Sequence, residues 1–153
     1  MLTLFTTAKP FLGHSATIQR NALKSWKLLH PDIEVVLFGD DEGAAQVADE
    51  LGLRHEPRVE RNEYGTKRLD AMFARAQNMA RHGLLCYINC DIVLLPEFCL
   101  ALERVSKRGR RFLMVGRRWD TDITEPIDFS DPEWPSGVKK FVLEHGIQQP
   151  DIQ

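Results

Sequence analysis

The chain of 153 residues contains little cysteine and no long apolar run. Of its three cysteines, Cys86 and Cys90 lie inside an apolar stretch of strand length, so we expect reduced, buried thiols at these positions and at Cys99. Two ligands four residues apart on a strand do not suit a structural zinc site. No apolar run approaches the roughly 20 residues that span a bilayer, and the N-terminus carries no cationic leader of a signal peptide. We therefore expect a cytoplasmic protein without a membrane span.

The chain also lacks an excess of positive charge and several well-known catalytic motifs. Its formal net charge is -2, which argues against a nucleic-acid partner bound through bulk charge. Four of the five residues at 107–111 are basic, but such a short run is typical of a solvated turn. There is no Walker A loop, H-E-x-x-H, G-x-S-x-G or G-x-G-x-x-G, and no internal repeat. The composition, 43% hydrophobic and 27% charged, is that of one ordinary globular domain over residues 1–153.

Apolar runs of strand length alternate with stretches of helical periodicity along the chain. We predict strands at 2–7, 33–38, 53–55, from 84 onward and at 112–116, and helices at 15–29, 43–51, 66–81, 96–105 and 138–145. Residues 117–137 and 146–153 read as a loop and a polar tail. This alternation predicts an α/β fold, Rossmann-like, with three layers (α/β/α) and a mainly parallel sheet.

The stretch LLCYINCDIVLLPEF at 84–98 places Asn89 and Asp91 where an apolar strand should emerge from the sheet. A carboxylate inside so apolar a run is costly unless it is hydrated, paired or bound to a cation. Because side chains alternate along a strand, we expect Asn89 and Asp91 to face the same way and to suit a hard cation such as Mg²⁺. The alternative is that Asp91 only turns the chain.

Polar residues also follow the first two predicted strands. Thr6 and Thr7 end the first strand, and their hydroxyls suit contacts to a base or ribose. Asp40 and Asp41 follow the second strand and can accept hydrogen bonds from a ribose or a base N–H. In a parallel sheet these groups and Asp91 share one edge, where nucleotides bind. A solvated turn at 39–43 is the alternative for the two aspartates.

As a set, the motifs LFTT, VVLFGDDEG and YINCDIVLLPEF resemble the nucleotide-sugar-binding half of GT-A-fold glycosyltransferases, and so do NEYGT at 62–66 and GRRWD at 116–120. In that fold an Asp-x-Asp motif at the end of a central strand holds Mn²⁺ or Mg²⁺ against the donor diphosphate. The resemblance implies that Asp91 is the main metal ligand and that Asn89, an amide where the family has an acid, assists it.

The resemblance also implies a donor site for a UDP-, GDP- or CDP-linked sugar. It places Thr6 and Thr7 by the nucleotide and Asp40 or Asp41 by the base or ribose. Asp70 would approach the donor sugar, the alternative being an exposed helix acid. Arg117 and Arg118 can brace a diphosphate, the alternative being a solvated loop. No residue is assigned as catalytic base.

In the family, further strands and helices that bind the acceptor follow the point where this sequence stops. We therefore expect the N-terminal half of a GT-A-like domain, truncated at its C-terminus, with an unknown acceptor. The alternative is a non-catalytic domain of the same fold that binds a nucleotide or a protein partner, which Asn89 favours.

Overall fold

The computed structural model describes residues 1–109 and 111–149. Within them the strands are β1 (Thr3–Thr7), β2 (Glu34–Phe38), β3 (Arg54–Glu56), β4 (Leu85–Tyr87), β5 (Trp119–Asp120) and β6 (Ile147–Gln148). The helices are α1 (Gly13–Leu29), α2 (Ala44–Leu51), α3 (Leu69–Met79), α4 (Glu97–Ser106) and α5 (Trp134–His145). None of the helices in these ranges is long and apolar enough to cross a membrane.

The first four strands form one parallel sheet in the order β3-β2-β1-β4. In register, Phe5 of β1 lies between Val36 of β2 and Tyr87 of β4. The α/β class with a parallel sheet is thus confirmed, and the architecture is compatible with a Rossmann-like fold. Because the chain moves from β1 outward through β2 and β3 and then returns to place β4 on the other side, the strand order reverses between β1 and β4. Ligands of open α/β sheets bind at this switch point, beyond the carboxyl ends of the strands.

Helices cover both faces of the sheet, which gives three layers. One face packs against α1, α2 and α4 through a core that includes Leu4, Leu37, Leu23, Trp26, Val47 and Leu102. The other face packs against α3 through Phe5, Val36, Phe38, Met72 and Ala76. Successive strand residues therefore serve opposite cores, which explains why β1 and β2 are apolar at almost every position. Each large side chain buried here contributes about 1.5 to 3 kcal/mol of transfer free energy.

Several element ends follow from local chemistry. Helix α1 ends at Leu29 because His30, which precedes Pro31, is extended at φ −167° and ψ 141°. Helix α3 begins at Leu69 and not at residue 66, since residues 61 and 67 form an antiparallel bridge that holds the preceding backbone out of a helix.

The predicted strand at 112–116 is wrong, because no residue that the structure describes pairs with this segment in a sheet. Its side chains still alternate: Phe112 and Met114 pack against the core, while Leu113 is 89% and Val115 63% exposed. The apolar pattern therefore identified a segment with alternating burial, but the pattern alone does not supply the neighbouring strand that a sheet requires. Two further differences are the short strand β5 inside the predicted loop and the earlier start of α5, at Trp134. The predicted tail begins with the described strand β6, and its residues 150–153 lie outside the described part of the chain.

Glu34 connects the amino-terminal ends of three strands. Its carboxylate accepts hydrogen bonds from the Thr3 hydroxyl at 2.7 Å and the Arg81 backbone N–H at 2.7 Å, and it pairs with Arg54 at 3.3 Å. Burial alone would raise the pKa of Glu34, but these hydrogen bonds outweigh it and hold the pKa below its usual value of 4.5.

We expect Glu34→Gln to lower the free energy of unfolding by about 1 kcal/mol at pH 7, because the charged acceptor is lost. The folded pKa lies below the unfolded one, so the stabilisation is complete above pH 4.5 and is lost as the pH falls through the folded pKa. Urea unfolding of both proteins between pH 7 and 3 should therefore show a difference that shrinks in acid. Glu144→Gln, on the exposed surface of α5, is the control. A difference that is constant with pH would contradict the assignment.

Candidate functional site

Most of the predicted site residues meet at the carboxyl edge of the sheet. Thr7 ends β1, Asp40 and Asp41 follow β2, and Asn89 and Asp91 follow β4. The parallel register of these three neighbouring strands is what brings the groups to a common edge. Asp70 lies apart, in the first turn of α3, with its side chain 68% exposed.

The Asn89–Asp91 segment is a turn and not a continuation of β4. The strand ends at Tyr87, and the Ile92 backbone N–H donates to the Asn89 carbonyl at 3.2 Å. Asn89 and Asp91 are exposed on either side of Cys90, which is only 4% exposed. Asn89 and Asp91 are thus both exposed while Cys90 between them is buried, as expected from alternation along a strand. A turn, and not the pleat of a strand, produces this pattern.

Helix α1 fixes the chain that follows Asp91. The Trp26 indole N–H donates to the Ile92 carbonyl at 2.8 Å, and the Ser25 hydroxyl accepts a bond from the Leu94 N–H at 3.0 Å. Both α1 side chains are fully buried. These bonds satisfy backbone groups of a segment that has no regular structure and so hold the turn at Asp91 in place.

Lys67 occupies the middle of this edge and was not predicted. Its ammonium group donates to the Ala8 carbonyl, just beyond β1, at 2.8 Å and forms an ion pair with Asp41, just beyond β2. The side chains of Lys67 and Asp41 are only 11% and 14% exposed. Asp41 is therefore not part of a solvated turn.

Gly39 makes room for this ion pair. Its φ is +111°, and a Cβ atom there would lie 2.7 Å from the Asp41 carboxylate and 3.0 Å from the Lys67 ammonium. An L side chain is disfavoured by both the backbone conformation and the contact. The glycine that ends β2 therefore serves the close approach of Lys67.

The NEYGT motif is the tip of a short hairpin that delivers Lys67, and we call residues 60–68 the hairpin. Backbone bonds from Asn62 N–H to the Thr66 carbonyl and from Arg68 N–H to the Glu60 carbonyl close it. The Asn62 side-chain carbonyl also accepts bonds from the N–H groups of Tyr64 and Thr66, so it caps the turn. The position of Lys67 directly after this motif is the sequence signal that could have identified it.

The lysine also acts on the end of β4. Burial, with a smaller contribution from the Asp91 charge, raises the pKa of the Cys90 thiol to about 12, while a hydrogen bond with Thr6 and the Lys67 charge oppose the shift. The Lys67 charge thus acts beyond the ends of β1, β2 and β4. Cys90 stays a thiol at neutral pH, so it is not a nucleophile.

The two threonines differ in accessibility. Thr6 is fully buried and its hydroxyl donates to the Thr7 carbonyl at 3.3 Å, so it faces the core and not a surface ligand. Thr7 is partly exposed, and its hydroxyl oxygen is buried without a hydrogen-bond partner among the described residues. A buried hydroxyl without a partner is costly, so the Thr7 hydroxyl requires a bond from water or from a ligand that reaches it.

Three of the predicted aspartates are already paired. Asp40 pairs with Arg61 of the hairpin at 2.9 Å and Asp70 with Arg68 at 2.6 Å, and these bonds hold the pKa of each carboxyl below its usual value. Asp41 pairs with Lys67. Asp91, by contrast, is exposed and has no ion pair with any described residue.

The GRRWD segment approaches Asp91. Arg118 donates to Asp120 at 2.7 Å, and this bond, helped by the Asp91 charge, raises the pKa of the Arg118 guanidinium. A second cation therefore lies within electrostatic reach of Asp91. Residue 110, within the basic run at 107–111, lies outside the described part of the chain.

Two open grooves flank the site. One of about 800 Å³ lies between β3 and α3 and is lined by residues that include Phe38, Asp40, Arg58, Met72 and Arg75. The other, of about 470 Å³, is lined by residues that include Asp40, Asp41, Gly43 and His55. Asp40 borders both, but neither is lined by Asn89 or Asp91. The grooves can therefore take an organic group beside β2, while the candidate metal ligands lie on open surface.

Asn89 and Asp91 carry the oxygen ligands that a hard divalent cation prefers. Mg²⁺ and similar ions commonly use one or two protein carboxylates, with water and phosphate oxygens completing the shell. Within residues 1–109 and 111–149, no three His, Cys, Asp or Glu side chains are grouped so that they could hold a metal ion.

Comparison of the chain with models of protein families, with curated proteins and with solved structures finds no match. The likeness to GT-A-fold glycosyltransferases accordingly rests on the sequence motifs.

Proposed function

We propose that this domain has a GT-A-like fold and binds a nucleotide-sugar donor through a divalent cation, Mn²⁺ or Mg²⁺, held by Asp91. The parent activity would be transfer of the sugar to an acceptor hydroxyl. Asn89 would assist the metal directly or through water, and Thr7 would bond the nucleotide. Asp40 borders both grooves, and each is large enough for a base or a ribose beside it.

The observation that carries this proposal is the state of Asp91. It lies at the switch point of a parallel sheet, exposed and without an ion pair to any residue that the structure describes, whereas the other three predicted acids are neutralised by Lys or Arg. An uncompensated carboxylate there favours a cation over an anion as its direct partner, and a cation recruits the diphosphate.

In such a transfer, negative charge develops on the departing nucleoside diphosphate. A bound metal would supply a Lewis acid that stabilises this charge. The chain's own contribution is electrostatic: Asp91 would position the cation, while Lys67 and Arg118, each paired with an aspartate, offer N–H donors to a diphosphate. No described residue is assigned as the base that accepts the acceptor proton.

We expect Asp91→Ala to abolish metal-dependent binding of the donor, since the metal loses its carboxylate. A thermal-shift screen of UDP, GDP, CDP and their sugars, with and without Mn²⁺, should first show a selective, metal-dependent rise for the unaltered protein. Calorimetry then compares the two proteins on that ligand. Asp49→Ala, an exposed aspartate of α2, is the control and should bind as the unaltered protein does.

Affinity that is the same with and without Mn²⁺, or unchanged in Asp91→Ala, would refute the metal assignment. If the protein binds none of these nucleotides or nucleotide sugars, the proposed function itself is refuted.

The amide at Asn89 favours a second candidate, a domain of the same shape that binds a nucleotide or a protein without turnover. Donor hydrolysis separates the two: slow release of free sugar from the bound donor supports the enzyme, whereas tight binding with no release supports the non-catalytic domain.

A further inference from the structure

The Lys67 ammonium has an unused donor. An ammonium carries three N–H groups. One donates to the Ala8 carbonyl and one to Asp41, and the third has no partner among the described residues. The side chain is 11% exposed, so it lies close to the surface of the edge.

The charges around this donor favour an anion only when a divalent cation is bound at Asp91. Lys67 donates to the Ala8 carbonyl beyond β1 and pairs with Asp41 beyond β2, on the edge that also carries the Asp91 turn after β4. Asp41 balances the Lys67 charge, so the exposed Asp91 carboxylate leaves this edge negative until the cation binds. With that cation bound the edge becomes positive, and a diphosphate that bridged from the cation toward Lys67 would offset the positive charge. Lysine binds phosphate as a point charge and needs no bidentate geometry.

We propose that Lys67 binds a phosphate oxygen of the nucleotide diphosphate with its third N–H group. This inference rests on the proposed function, because it assigns a second anchor to the same ligand. The diphosphate would lie between two anchors: the cation at Asp91 and the ammonium at Lys67. Asp41 would then be a positioning residue that holds the ammonium at the edge.

The competing explanation is that Lys67 only fastens the hairpin to the sheet. Both roles require the ion pair with Asp41, so loss of binding in a Lys67 variant alone would not distinguish them. A phosphate contact, however, affects ligands that carry phosphate and leaves the bare nucleoside unchanged.

The experiment compares Asp41→Asn with the double variant Asp41→Asn/Lys67→Met, since both lack the carboxylate and differ only in the ammonium. The probes are the nucleoside diphosphate selected by the thermal-shift screen, its nucleoside, and inorganic pyrophosphate, each titrated by calorimetry with Mn²⁺. We expect the double variant to lose about 10- to 100-fold in affinity for the diphosphate and pyrophosphate, as for one charged hydrogen bond, with nucleoside affinity unchanged. If this double variant is unfolded at the assay temperature, Asp41→Asn/Lys67→Gln replaces it.

Equal affinity of the two variants for the diphosphate overturns the role of Lys67 and leaves the proposed function standing. An equal loss for the nucleoside and the diphosphate also overturns it, because the effect is then structural. If the unaltered protein binds none of the probes, the proposed function fails and this inference fails with it.

Discussion

Asp41→Ala should lower the free energy of unfolding by about 3 to 5 kcal/mol, because it leaves the Lys67 ammonium almost buried without its counter-ion. The group cannot easily swing into water, since the hairpin fixes its backbone and Gly39 packs against it. Chemical denaturation at pH 7 measures the loss. Asp41→Asn should cost less than Asp41→Ala, since its side-chain carbonyl still accepts a bond from the ammonium.

A double-mutant cycle separates the ion pair from packing. Lys67→Met alone should also be strongly destabilising, since it strands the carboxylate, whereas Asp41→Asn/Lys67→Met removes both charges and should recover much of the loss. An exposed pair supplies the comparison: Asp70→Asn breaks the Arg68 pair at the surface, where solvent screens the charges, and should cost far less than Asp41→Ala. If Asp41→Ala costs no more than Asp70→Asn, the Lys67 pair is screened by solvent and is not the buried link described here.

The sheet could be predicted from sequence because its strands are buried on both faces. β1 and β2 therefore read as apolar runs, and the observed strands, Thr3–Thr7 and Glu34–Phe38, begin one residue later than predicted and end where predicted. The segment at 112–116 shows the limit of this reasoning. Its side chains alternate as those of a strand do, but strand pairing is a long-range event that the local pattern does not contain.

For the candidate site, the common edge could be predicted from the sequence, but the partners of the individual side chains could not. That Asp40, Asp41 and Asp91 would share an edge followed from parallel strands, and the structure brings them there. What each acid does there could not be read locally, because Asp40 and Asp41 are neutralised by Arg61 and Lys67 of a hairpin more than 20 residues further on. Lys67 was missed because its one sequence signal is its position directly after the NEYGT turn, and a single lysine there has no periodic pattern.

Trp26→Ala is the second large effect, with an expected loss of about 4 kcal/mol or more in the free energy of unfolding. Trp26 is fully buried between α1 and the sheet, so truncation leaves a cavity, for which large-to-small core changes typically cost about 3 to 5 kcal/mol. The change also removes the indole bond to the Ile92 carbonyl. Because that bond holds the chain just after Asp91, the variant should bind Mn²⁺ and nucleotide more weakly even at temperatures where it is folded.

Two comparison variants separate the loss of core packing from the loss of the indole hydrogen bond. Trp26→Phe keeps most of the packing but lacks the indole N–H, so it should lose about 1 to 3 kcal/mol and still show the weakened ligand binding. Trp134→Ala removes a half-buried tryptophan whose ring centroid lies 4.9 Å from that of Phe129, away from the sheet core. We expect it to lower the free energy of unfolding less than Trp26→Ala does and to leave nucleotide affinity unchanged. Full ligand affinity in a folded Trp26→Phe protein would show that the Asp91 turn holds its geometry without α1. In that case the turn is fixed by its own backbone bond from Ile92 to Asn89.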